Sequence, residues 1–305
     1  LLAVLWATAT AVFAQTLYKY KGPNGEWIYT DRKPAEEQEA EVRKLETTFI
    51  KPEFSVSHQV YGKTIEFMAH NEYYAPMEVR LKFVEITGVE YPDPDTVLRW
   101  LVEPQSDQLL LTLDVLDDMQ PSSVEYLFEY LAGDPTSVHA GEASYVVPYS
   151  SRRSFPVTQA FPDAVTHKII DSAHAVDIAM PIGTDVLAAR GGVVFDVAAD
   201  NFRGGLDLSR DGQAANIVRI LHDDGTFSLY AHLNWNTIRV KPGDEVKAGQ
   251  YIADSGNTGF TSGPHLHFAV QRNAGLKIES LPVSFRGSNS TPVVPATGDV
   301  LTSYQ

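Results

Sequence analysis

The sequence contains no cysteine, so neither a disulfide framework nor a thiolate metal site is open to it. It is also poor in positive charge: 24 Lys and Arg stand against 39 Asp and Glu, a net charge of -15. That balance argues against the clustered basic surface that a phosphate backbone requires, so no nucleic-acid partner is expected. Beyond the N-terminal segment, no run is apolar enough to cross a bilayer, which takes ~20 residues. Any metal chemistry must therefore use nitrogen and oxygen donors. Histidine is scarce, nine in the whole chain, so the positions of those nine carry information.

The first segment, "LLAVLWATATAVFAQ", is apolar and ends in small residues, with Val12 and Ala14 placed as at a signal-peptidase site. Residues 1–14 are read as a truncated signal peptide, cleaved to leave Gln15 first. The expected location is the periplasm or the medium. Membrane association is expected only if this segment stays uncleaved.

The rest reads as mainly β. In residues 15–50, "LYKYKGPNGEWIYTDRKP" places two short aromatic strands around a Pro-Asn-Gly turn, and "AEEQEAEVRKLE" follows as a charged helix or linker. The Tyr-x-Tyr, Gly and Tyr-x-Asp pattern resembles a short β-domain of unknown function found at the front of many exported Gram-negative proteins. Residues 51–150 alternate in short runs such as "KTIEFMAHN" and "MEVRLKFVEI", punctuated by turn residues at the spacing of an Ig-like β-sandwich, suited to spacing, docking or occlusion. His58, His70 and His139 lie there singly and read as ordinary surface or half-buried residues. Residues 151–286 are richer in glycine, hold the other six histidines and read as an antiparallel β-domain. Residues 287–305, rich in Pro, Ser, Thr and Gly, read as an extended tail.

Within the third region the stretch "SGPHLHFAV" draws attention. Alternation of Leu266 and Phe268 against His265 and His267 reads as a strand with both imidazoles on one face, roughly 7 Å apart. Two imidazoles so placed can share a metal and its water. By itself the pattern also fits a polar pair on a solvated strand face. Asp177, in "HAVDIAMP", lies in an apolar run where a carboxylate is costly unless paired, hydrogen-bonded or bound to a metal. His232, in "SLYAHLNW", ends a strand with Ser228 and Tyr230 on its own face; alone it could be a core-edge residue.

Taken together, "AVDIAMPIGTDVLAARGGVV", "NIVRILHDDGTFSLYAHL" and "VKPGDEVKAGQYIADSGNTGFTSGPHLHF" resemble, in family order, the lysostaphin-type (LytM-like) zinc endopeptidases of bacterial cell walls. The resemblance implies one Zn2+ per chain, with Asp177 and His267 as ligands. It places His265 and His232 beside the reacting water and the scissile carbonyl as catalytic residues. His222 matches a position in the hairpin turn and is read as structural. The implied activity is hydrolysis of amide bonds in peptidoglycan cross-links or another peptide substrate. A degenerate relative that binds wall or activates a partner hydrolase is the alternative; retention of Asp177, His232, His265 and His267 favours an enzyme.

The sequence departs from the family pattern at one ligand. Four residues before Asp177, where the family has a histidine, stands Ala173. If residues 173–178 form one regular strand, His174 faces away from Asp177 unless a bulge intervenes. His167 can return over Asp177 if "THKIIDSAH" folds as a loop with its turn at Asp171 and Ser172, at little extra closure cost. His167 is therefore expected as the third ligand, with His174 as the rival.

Overall fold

A computed structural model describes residues 15–21, 27–30, 41–45, 51–91, 97–116, 121–140 and 145–305. The expected signal segment and the Pro-Asn-Gly turn lie outside the described residues. The chain divides into two compact units, Leu1–Ile50 and Lys51–Gln305. In the first, Gln15–Lys21 pairs antiparallel with both Trp27–Thr30 and Glu41–Leu45. Residues 41–45, expected in a charged helix or linker, are thus a strand: Val42 and Leu45 supply enough β character for a backbone already offered an edge.

In the second unit, residues 54–132 build two antiparallel sheets face to face. One orders Phe54–Tyr61, Thr64–Asn71, Ser106–Val115 and Val89–Glu90; the other orders Ser123–Ala132, Met77–Thr87 and Leu98–Val102. Alternate residues of both, Ile65, Phe67 and Ala69 from one and Met77, Val79, Leu81 and Val102 from the other, meet in a single core. This is the period-2 pattern of a sheet with one face in and one face out.

The chemistry-bearing region is a nine-stranded antiparallel sheet. Its order runs Glu245–Val246, Gly192–Ala198, Ile217–Leu221, Phe227–Ala231, His265–Asn273, Val176–Ala179, Ser154–Gln159, Val300–Thr302, with Ile278–Leu281 also paired to the central His265–Asn273 strand. That central strand sends Leu266 and Phe268 into the main core, both fully buried. Each such side chain contributes about 1.5–3 kcal/mol on burial. A one-residue slip would put both histidines into the core instead, so the apolar set fixes the face they occupy. The C-terminal segment, expected as an extended tail, returns to the sheet: Val300–Thr302 pairs with Ser154–Gln159, and Leu301 joins the core. Its alternation of Val300, Leu301 and Thr302 lets it close an edge that would otherwise present unpaired backbone groups.

The sandwich meets the sheet at the far end of the central strand. Glu78 is buried and accepts from Asn273 Nδ2 (2.8 Å) and the Leu276 backbone N–H (2.8 Å), while Arg99 pairs with its other oxygen (3.0 Å). Ala75 packs with Phe195 and Phe227 beside it. Asn273 lies roughly 20 Å along the strand from His267. This contact lies at the far end of the central strand from the histidines.

Candidate metal centre

Asp177 and His267 face each other directly across paired strands, and Ala231 stands opposite His267 on the other side. Three adjacent central strands therefore converge on one patch. His267 Nδ1 lies 2.9 Å from Asp177 Oδ1. His167 Nε2 lies 3.2 Å from Asp177 Oδ2, and its ring stands edge-on to that of His267 at 5.0 Å. One donor atom from each of His167, Asp177 and His267 lies within 4.8 Å of the other two.

His167 arrives from a loop. The strand bearing Asp177 begins at Val176, so residues 173–175 are not in it, and a turn over residues 169–174 folds the chain back. The Ala175 N–H donates to the Ser172 carbonyl and closes that turn. His174 sits within it, its ring 4.5 Å from that of Phe161 and its backbone N–H bound to Ser280 Oγ. The structure brings His167, and not His174, to Asp177.

The other two histidines lie alongside. His232 adopts a left-handed backbone (φ 61°) immediately after its strand, which turns its ring toward the centre. Its Nδ1 donates to the Thr258 carbonyl at 2.7 Å. His265 Nδ1 lies 2.8 Å from the Gly263 carbonyl, and its Nε2 lies 3.8 Å from Asp177 Oδ1. The two rings are 4.5 Å apart. A carbonyl only accepts, so in both rings the proton sits on Nδ1 and the neutral form leaves a lone pair on Nε2. Burial, reinforced by the neighbouring His265 and His267, pushes His232 down to about 3, so its ring is neutral.

Asp177 is held well below the usual carboxylate range. Burial works to raise it, and its contacts with the His167 and His267 imidazoles outweigh burial. The donor set passes a test for a divalent cation. His167 Nδ1 is committed to the Ala175 carbonyl at 3.2 Å, which puts the Nε2 lone pair against a carboxylate oxygen. Two acceptors at that distance need a second proton on the ring or a cation between them. Two imidazole nitrogens and one carboxylate oxygen are a donor set Zn2+ favours, and tetrahedral bonds of about 2.0–2.1 Å put neighbouring donors about 3.3 Å apart, close to the spacings seen.

Sequence reasoning missed the braces. Gln159 donates to Asp177 Oδ2 (2.6 Å), and the carbonyls of Ala175, Thr258 and Gly263 orient three of the rings. Carbonyls carry no sequence signal, and Gln159 becomes visible only through its register opposite Asp177. His222 lies apart from this patch, buried with Nδ1 on the Gly191 carbonyl.

Residues 171–279 match peptidase family M23, and the chain carries an M23 domain. Asp177, His232, His265 and His267 fall inside the match; His167 lies just before it. The chain is 38% identical over 102 residues to lysostaphin of Staphylococcus simulans, covering 33% of this chain and 18% of that protein. It is 36% identical over 122 residues to the peptidoglycan DD-endopeptidase ShyA of Vibrio cholerae, covering 40% and 23%. The catalytic domain of the prophage-encoded M23 protein EnpA from Enterococcus faecalis is 27% identical, covers 45% of this chain and 93% of that one, and has a TM-score of 0.33. The chain spans less than a third of the length of the curated relatives it matches.

Proposed function

We propose that the chain is an exported zinc-dependent endopeptidase that hydrolyses amide bonds in peptidoglycan cross-links, with one Zn2+ held by His167, Asp177 and His267. One observation carries this reading: a buried carboxylate whose partners are imidazoles, with His232 and His265 beside it. The relatives named as lysostaphin and as a peptidoglycan DD-endopeptidase support a wall substrate. In this reading residues 1–14 are a signal, 15–50 a small β-unit, 51–150 a sandwich and 151–286 the peptidase domain.

A divalent cation at these donors supplies Lewis acidity, polarising a carbonyl oxygen and making water a stronger acid. The chain's own groups do the rest. His265 presents its Nε2 lone pair toward the centre and can take a proton from water as its oxygen adds to the scissile carbonyl carbon, while the neutral His232 ring can accept a hydrogen bond from the same water at Nε2. A ring so protonated becomes a donor at Nε2. It can then hydrogen-bond the oxyanion and pass its proton to the leaving nitrogen as the C–N bond breaks. The carbonyls of Thr258 and Gly263 hold both rings in the tautomer this requires.

The test is incubation of the purified protein with muropeptide-rich wall, with and without chelator, and mass spectrometry of the products. Amide cleavage that chelation abolishes and zinc restores is expected. Full activity in a thoroughly demetallated sample would overturn the metal mechanism. Wall binding without cleavage would favour the degenerate, non-catalytic alternative.

A further inference from the structure

We propose that Gln159 is a positioning residue of the metal centre, its side-chain amide fixing the Asp177 carboxylate and the loop that delivers His167 as one unit. The inference rests on reading His167, Asp177 and His267 as metal ligands.

Gln159 ends the strand next to that of Asp177 and stands in register with it. Its Nε2 donates to Asp177 Oδ2 at 2.6 Å. Its Oε1 accepts from the backbone N–H groups of Val165 (2.8 Å) and Thr166 (2.9 Å), directly before His167. The Thr166 hydroxyl touches both ends of the amide, at 2.9 and 3.1 Å. The orientation is determined: exchanging N and O would set the amide oxygen against a carboxylate oxygen and the NH2 group against two backbone N–H groups.

The loop needs such a tie. Phe161, Val165, Ile169 and Ile170 are all exposed, so apolar burial does little to hold it. Ordering each residue costs about 1–2 kcal/mol of backbone entropy. The distal half is pinned by Gln271 Nε2 on the Asp171 carbonyl (2.8 Å) and by the Ser280 N–H on the Ile170 carbonyl (2.8 Å). Gln159 pins the proximal half, which carries His167. A neutral amide also fixes the carboxylate's rotation without cancelling its charge, whereas Lys or Arg at this position would compete with a cation for it.

The test uses the full chain with Gln159→Met, which has similar length and neither polar group, and Gln159→Glu, which keeps the acceptor for Val165 and Thr166 but loses the donor to Asp177. Zinc affinity is measured by competition with a chromophoric chelator, the Co2+-substituted forms are compared by visible absorption, and circular dichroism reports folding. Zinc binding weakened 10- to 100-fold in both variants, with an altered Co2+ spectrum, is expected. A purely structural role would lower the melting temperature of the metal-free forms and leave the Co2+ spectrum as it is. Zinc affinity within twofold of wild type and an unchanged spectrum in both variants overturns the proposal. If the Met variant does not fold, the Glu variant decides on the same criteria. Failure of the wild type itself to take up one zinc per chain would overturn the metal-centre reading and this proposal with it; weak binding confined to the variants leaves that reading standing.

Discussion

Asp177 and Asp224 are both carboxylates sunk into the same β-domain, yet they are satisfied in opposite ways. Asp224 faces Arg190 NH1 at 2.8 Å and also accepts from the Thr226 hydroxyl, the Thr226 N–H and the Ala140 N–H. Burial works to raise its pKa, and the Thr226 hydroxyl, Arg190 and the backbone donors more than reverse that. Arg190 adds Asp223 and the Tyr145 hydroxyl, closing an ion pair with a permanent cation. The partners of Asp177 are three imidazoles and one amide. Those imidazoles counter its charge only by taking protons, so the cluster is completed by protons or by an added cation. A half-buried acid with a built-in guanidinium is architecture; a buried acid ringed by imidazole nitrogens is a socket.

The largest effect should separate the two acids. Asp177→Asn is expected to lose bound zinc and with it all wall hydrolysis above background, whereas Asp224→Asn keeps stoichiometric zinc. Metal content and product formation measured side by side check this; equal zinc loss in both would erase the distinction. The converse comes next. Arg190→Met should lower stability by about 2–3 kcal/mol, because it leaves half-buried Asp224 without its charge partner, while zinc binding is retained. Urea unfolding and metal analysis of the same preparation read both halves of that statement.

Within the socket, His267→Ala is expected to lose metal. His232→Ala and His265→Ala should keep it and lose turnover by on the order of 10²-fold each. Similar zinc loss in all three would show that ligands and catalysts have been confused.

The smallest effect sharpens the contrast at the Asp224 side. His222 is pushed down to about 4, chiefly by burial, with its Nδ1 donating to the Gly191 carbonyl. The unfolded ring takes a proton below its ordinary value of 6.5 and the folded ring resists, so the unfolded state binds more protons as pH falls from 6.5 towards 4. Stability from this group is present above that window and lost through it, by about 2 kcal/mol between pH 7 and pH 5. Urea midpoints across that range should fall less steeply in His222→Gln than in wild type; identical slopes would remove His222 as the cause.

Local chemistry in the chain determined which face of the central strand carries His265 and His267, because Leu266 and Phe268 must go inward and the period of two leaves no choice. It also marked Asp177 as a carboxylate too costly to bury alone. The mainly β character was legible for the same reason: turn chemistry and alternation act over a few residues. Tertiary structure decided the rest. The strand bearing Asp177 starts only at Val176, so the condition of one regular strand over residues 173–178 is not met, and a turn sends the His174 ring to Phe161. His167 reaches Asp177 through a loop hydrogen-bonded to Gln159, close by in sequence, and to Gln271 and Ser280, which lie far along the chain. The C-terminal strand joins the sheet because Ser154–Gln159 has an open edge there. Register between strands far apart in the chain is fixed by the shared core and by long-range hydrogen bonds, and neither leaves a pattern in any short stretch of sequence.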